Sequence, residues 1–292
     1  KKLARSLKIC LLKDSLVNKI KNSTMPKKWV GKILILWGIR MWKNIRVLCL
    51  LIILLIVAVQ AWRDQNQDWN HTVVVVLHPV NADGLQTTQT YTDQLKNEDF
   101  WAIKNYLDEW SQHYRGQTGN FVIRLGQELQ QRPPEVPENA NILHVIWWSL
   151  KFRFYAWRQT QPEDSGASLK LYLNYYDPNY QKVLVHSTAL EKGRIGSVNL
   201  FATKTQASQN QVVIVHELLH GFGAQDKYDL KTGQPIYPLG FAQPEKIPLY
   251  PQNQAEIMGG RTALSEQSSK MPNNLQETII GLPTAREIGW GK

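Results

Sequence analysis

The stretch VHELLHGFGAQDKYD, Val215 to Asp229, decides how the rest of the chain is read. It holds two of the seven histidines, His216 and His220. On a helix, residues at i and i+4 share one face, about 6 Å apart along the axis, so two imidazoles can converge on one ion. Imidazole nitrogens suit Zn²⁺. Glu217, one position on, points to the side of such an ion, where a carboxylate takes a proton from a water instead of binding the metal. Gly221 and Gly223 suit a helix that must stop sharply, because glycine tolerates positive φ and can turn the chain back. Three residues later Asp226 offers a carboxylate. A catalytic zinc needs a third protein ligand and one open position, and Asp226 is the candidate, with Asp229 a competitor in the same loop. Far downstream, EIMGGR (residues 256–261) places Met258 before two glycines, in a segment that reads as a tight turn. Each signal has an ordinary alternative: HExxH occurs in unrelated helices, Asp226 could be a solvated loop acid, and most methionines fill core gaps. The combination HExxHxxGxxD with a later Met–Gly–Gly is what points to a metal site.

Charge and hydropathy place this motif relative to a membrane. The 292-residue chain has a net charge of +10, but residues 1–46 hold 13 of the 34 Lys/Arg and one acid, Asp14. The remaining 21 Lys/Arg face 23 Asp/Glu, so the bulk of the protein is near neutral. That distribution argues against a phosphate-binding groove and against a nucleic-acid partner. After the basic segment comes VLCLLIILLIVAVQAW, Val47 to Trp62, uncharged and almost wholly apolar. It is short against the ~20 residues of a usual span, but Arg46 and Arg63 can snorkel, and Trp42 and Trp62 suit an aromatic belt. A basic flank stays in the cytoplasm, so the chain beyond residue 63 is expected outside the cytoplasmic membrane. An alternative starts at Met41, as a signal peptide cleaved after Ala61, which would release a secreted or periplasmic domain. Met25 and Met41 are both possible starts. The long basic lead-in favours the uncleaved anchor. Both cysteines, Cys10 and Cys49, lie in this N-terminal region, so the outer domain has no disulfide and no thiol to block a metal.

The expected organisation is a basic cytoplasmic segment (1–46), a transmembrane anchor or signal h-region (47–62), a polar linker (63–70) and one compact domain (71–292). Within that domain, residues 72–80, 121–125, 169–176, 182–189 and 196–202 read as strands. Residues 182–189 are expected to pair with 169–176 across the turn DPNYQ. Residues 97–115 and 142–157 read as helices, the aromatics of the second leaving strand as its alternative, and the motif helix starts near Asn210. The aromatic run WWSLKFRFYAW in the second helix reads as core packing. Thr284 and Glu287 have capping-box spacing in a short terminal helix. The element order implies an α+β fold, a mixed twisted sheet with helices packed on it. The other five histidines, at 71, 78, 113, 144 and 186, read as structural or exposed.

The motif resembles that of the metzincin clan of zinc peptidases, whose signature is HExxHxxGxx followed by His or Asp and then a Met-containing turn. The Asp form is most similar to the snapalysin-like branch. The resemblance covers residues 216–226 and 256–259. It implies a zincin-like catalytic domain that hydrolyses peptide or protein substrates. His216, His220 and Asp226 would bind Zn²⁺, Glu217 would act as general base, Gly223 would make the turn and Met258 would lie under the metal. It also implies an edge strand above the metal that pairs with extended substrate, a role that GSVNLFA (196–202) could fill or that an ordinary paired strand would not. One position departs from the pattern. Some members carry a Tyr two residues after the Met, and here that residue is Gly260, which leaves Tyr228 or Tyr250 as possible substitutes. The expected protein is thus a membrane-tethered extracytoplasmic zinc endopeptidase. Its alternative is a zinc-stabilised envelope protein that binds a partner and cuts nothing. Oligomeric state is open.

Overall fold

The computed structural model describes residues 27–137, 141–191 and 193–291. Cys10, Asp14 and most of the basic lead-in lie outside these. The chain divides into two compact units, residues 1–59 and 60–292.

The first unit contains most of helix α1, Lys27–Gln65. Within it Met41–Arg63, 23 residues, is long and apolar enough to cross a membrane by length and composition. The apolar segment is therefore longer than the Val47–Trp62 run, because helix continues through its flanks. The helix also runs into the expected linker, and Trp69 at the linker's end is a core residue. Its ring packs on Phe121, Phe222 and Trp290, and its Nε1 donates to the Ile288 carbonyl at 2.8 Å. A polar stretch with one aromatic looks like a linker locally. The partners that bury that aromatic are far away in sequence.

The second unit is built on a five-stranded sheet of order β2-β1-β3-β5-β4. The strands are β1 Val73–Asn81, β2 Phe121–Leu125, β3 Leu169–Tyr176, β4 Thr188–Leu190 and β5 Ile195–Phe201. The first four in that order are parallel and β4 is antiparallel to β5. Strand alternation separates two cores. Val73, Val75 and Leu77 face helix α3, Trp101–Arg115, and the motif helix α5, Ala207–Gly221, joining Ile103, Leu107, Val215 and Leu218 in one buried cluster. Val80, Tyr172 and Ile195 face the opposite way, onto Trp148, Phe152 and Ala156 of α4, Ile142–Arg158. A short helix α2, Gln86–Thr92, follows β1. Full burial of each large apolar side chain contributes roughly 1.5–3 kcal/mol, so the many near-zero exposures in these clusters account for a fold without disulfides.

Four of the readings above are corrected or narrowed. Residues 182–187 are not a strand, and β4 pairs with β5, not with β3. The apolar residues Val183 and Val185 are exposed, and the segment is held by Asn199, whose Nδ2 donates to the Val185 carbonyl at 3.0 Å and whose amide donates to Ser187 Oγ at 2.9 Å. Strand β5 (the GSVNLFA run) has neighbours on both sides, so the sheet edge on this side is β4. The capping box does not form. The terminal helix α6, Leu282–Glu287, starts from Gly281 with Pro at its first turn, and Thr284 Oγ1 instead donates to buried Glu256. In α4, finally, core packing accounts for one face only; Trp147, Phe154 and Trp157 are exposed.

Candidate metal centre

Helix α5 follows β5 and packs its apolar residues under the sheet, which fixes the height and rotation of its last two turns. Gly221 is still helical. A Cβ there would lie 2.4 Å from Leu169 Cδ1, so its smallness serves the close approach to β3. The turn is made two residues later, where Gly223 has φ +104°. The chain then reverses, and Ala224 N donates to the Leu219 carbonyl at 3.0 Å.

This reversal brings Asp226 back over the two histidines. His216 Nε2 and His220 Nε2 are 3.1 Å apart, and Asp226 Oδ1 lies 3.1 Å from the first and 3.0 Å from the second. Both Nδ1 atoms face backbone carbonyls, His216 on Ile257 at 2.9 Å and His220 on Ala224 at 2.7 Å. A carbonyl only accepts, so each Nδ1 carries a proton, and a neutral ring then presents a lone pair at Nε2. Three such atoms at this distance need a shared positive charge, which a proton on one imidazole Nε2 or a metal ion can supply. The centre of a triangle of such sides is about 1.8 Å from each corner, so an ion at the usual ~2.0–2.1 Å from nitrogen or oxygen fits just off the plane. Donor types, spacing and tautomers therefore fit zinc. The His216, Glu217 and His220 donor atoms also lie within 4.8 Å of one another.

Electrostatics agree with a cation-seeking cluster. Burial would raise the Asp226 carboxyl, but its contacts with His216 and His220 outweigh this and hold it well below the usual carboxylate range. Burial would lower His216; Asp226 and Glu217 outweigh that and move it up. Glu217 is buried, its Oε2 accepts no hydrogen bond among the described residues, and burial pushes its carboxyl up against the pull of the two histidines. Asp229 is excluded from the cluster, since its Oδ1 accepts from the amides of Lys231 and Thr232 at 3.0 and 2.8 Å.

Met258 is fully buried in a short 3-10 turn, Ile257–Gly259. Its carbonyl accepts from Lys227 N at 2.9 Å, and the preceding carbonyl is the one that orients His216. A Cβ at Gly259 would meet the Gly240 carbonyl oxygen at 2.4 Å, which explains a glycine after the Met. The brace of this turn is a residue that motif reading missed. Glu256 is fully buried, and its carboxylate accepts from Met258 N, Gly259 N, Gly281 N and Thr284 Oγ1 at 2.7, 2.9, 3.0 and 2.6 Å. A second brace is Glu287, which accepts from Lys227 Nζ at 2.6 Å and Gln225 N at 3.0 Å and so fixes the loop on either side of Asp226. A lone acid two residues before a Met carries no sequence signal for the first, and the second pairs residues sixty positions apart.

Of the two tyrosines, Tyr228 lies at the site. Its ring centroid is 6.1 Å from that of His216, and a Cβ built at Gly260 would lie 3.8 Å from its Cδ1. Burial, with Asp226 and Glu217 adding to it, moves the phenol up. Tyr250 packs on Phe241 instead. None of the other five histidines joins the cluster. His78 is buried against Asp164 on the far sheet face, and the remaining four are exposed.

No family model matches the chain, and no curated protein matches it. Among solved structures, one described as "Structure of a chaperone-substrate complex" matches at 13% identity with a TM-score of 0.33. That match covers 65% of this chain and 27% of the other.

Proposed function

We propose that this chain is a zinc-dependent endopeptidase, tethered by α1 with its domain outside the cytoplasmic membrane. The observation that carries this is the triangle of His216 Nε2, His220 Nε2 and Asp226 Oδ1, with the buried Glu217 Oε2, unpartnered among the described residues, beside it. Zn²⁺ bound there would supply Lewis acidity, polarising a scissile carbonyl and making a water more acidic. His216 and His220 are held in one tautomer by backbone carbonyls, so their Nε2 lone pairs are pre-oriented. Glu217 takes the proton of the attacking water and passes it to the leaving amine. Burial raises its carboxyl toward the range in which it can do both. Tyr228, beside His216, is the donor placed to support charge that develops on the carbonyl oxygen. An extended substrate would add to the free edge of β4, the edge strand next to β5.

The test uses the full chain in detergent and its Glu217→Ala variant, with zinc counted by elemental analysis and casein as substrate. One zinc per chain in both and cleavage by the parent alone is the expected result. Zinc in both with no cleavage would overturn the peptidase and favour a zinc-stabilised binding module. No zinc in either would remove the metal centre itself.

A further inference from the structure

Helix α4 carries two apolar stripes on opposite sides. Trp148, Phe152 and Ala156 are buried on the sheet. At 100° per residue the opposite side holds Leu143, Ile146, Trp147, Leu150, Phe154 and Trp157, and each of these is more than half exposed. The helix cannot roll to hide them. Trp148 Nε1 donates to the Pro134 carbonyl at 2.9 Å and Tyr155 hydroxyl donates to the Gln131 carbonyl at 2.6 Å, pinning the inner face. A continuous apolar stripe of this size on a rigid helix marks a surface that something covers.

The charges on α4 select what covers it. Ile142–Arg158 contains no acid. His144, Lys151 and Arg158 recur at seven-residue spacing, so they line one border of the stripe, and Lys151 Nζ lies 5.6 Å from the centre of the Trp147 ring. Neither Lys151 nor Arg158 forms an ion pair among the described residues. A second copy of this chain packed antiparallel on the same face would bring the Lys151–Arg158 rows together, which like-charge repulsion opposes. An anionic lipid surface presents the complement: acyl chains for the leucines and phenylalanine, an interface for the two exposed tryptophans, and headgroup charge for the basic border. The chain also carries Met41–Arg63, apolar and long enough to cross that same bilayer. We infer that the outward face of α4 is a docking surface for an anionic lipid bilayer. This role goes beyond the proposed peptidase chemistry and is independent of the metal centre.

The experiment places the full chain in nanodiscs of phosphatidylcholine with about a quarter phosphatidylglycerol. In a Cys10→Ser, Cys49→Ser background, an environment-sensitive nitrobenzoxadiazole label is attached at Leu150→Cys, and separately at Leu54→Cys in α1. The label at 150 is expected to be quenched by lipid-borne nitroxide and shielded from aqueous iodide. Each basic residue near an anionic surface is worth about five-fold in partitioning, so Lys151→Glu with Arg158→Glu should shift the label toward iodide access, as should pure phosphatidylcholine. Iodide access without nitroxide quenching at 150 would overturn the inference, and so would shielding from both, which would mean a protein covers the face. The label at 54 reports the anchor separately. Lipid at 54 with water at 150 refutes only the docking face, whereas water at 54 with lipid at 150 refutes only the anchor.

Discussion

Replacing Asp226 with alanine should remove about half or more of the stabilisation that zinc confers. A ligand that binds only the folded chain stabilises it by RT ln(1 + [L]/Kd), about 2.7 kcal/mol at a free concentration 100-fold above Kd. In a domain of this size each kcal/mol moves Tm by about 2–4 °C, so the parent should gain about 5–11 °C. Asp226 Oδ1 is one of the three converging acceptors, 3.1 and 3.0 Å from the two imidazole nitrogens. Removing a group that merely orients a ligand costs about 10–100-fold in metal affinity, and removing a ligand costs at least as much. At the same free zinc the gain then falls to about 0.4–1.4 kcal/mol, or about 1–6 °C. The assay is thermal unfolding of the full chain in detergent micelles under buffered zinc, with Asp229→Ala as control. That carboxylate is tied to Lys231 and Thr232, so its removal should leave the zinc shift intact. A parent that zinc does not stabilise would mean that the three acceptors do not form a metal site. An equal shift in Asp226→Ala would mean that Asp226 is not a ligand, and loss of the shift in Asp229→Ala would identify the wrong acid.

Glu256→Gln replaces an oxygen that accepts two donors by an amide that donates; even with Thr284 Oγ1 turned to accept from it, the Gly281 amide loses its partner, which costs about 1–3 kcal/mol; urea unfolding checks this, and a loss below measurable size would mean that the turn is held by packing alone. Asp164→Asn should cost about 1.5–3 kcal/mol at neutral pH, because it removes the charged acceptor that His78 and Lys170 contact at 2.7 and 3.2 Å. Burial would raise Asp164, but His78, the Gln161 amide and Lys170 outweigh it and depress it. A depressed carboxylate contributes stability above its unfolded value of about 3.9 and loses it as pH falls through the folded value. Urea titrations from pH 7 to 3 should therefore show the gap between parent and variant closing at the acid end, and a constant gap would contradict the assignment. Tyr228→Phe should leave zinc content unchanged and lower kcat on casein by roughly 10²-fold, the scale of one lost donor to developing charge; unchanged kcat would leave Tyr228 a packing residue.

The strands that were legible are those whose residues settle the matter locally. TVVVV and LKLYLNYY are β-branched or alternating and are buried on both faces or one, so period and propensity agree with the sheet. Residues 182–187, KVLVHS, are also β-branched and apolar at their centre and form no strand. Composition states which side chains are apolar, whereas a strand also needs a free ladder beside it, and β3 already has β1 and β5 as neighbours. Trp69 and Thr284 failed for the opposite reason. Their local surroundings say linker and cap, and their roles come from Ile288 and Glu256, residues that no short window contains.

The site divides along the same line. His216, Glu217, His220, Gly223 and Asp226 lie within eleven residues, and one helix followed by one reversal brings the three acceptors together, so spacing carried the geometry. What holds that geometry was not legible. The Ile257 carbonyl that orients His216 belongs to a turn folded on Glu256, and the loop carrying Asp226 is fixed through Lys227 by Glu287. A motif read from spacing therefore states which atoms can meet, and the distant carboxylates determine whether they meet at 3.0–3.1 Å or drift apart. For this reason substitutions at Glu256 and Glu287 should weaken zinc binding although neither touches the metal triangle, and a helix with HExxH but without such braces would keep the motif and lose the site.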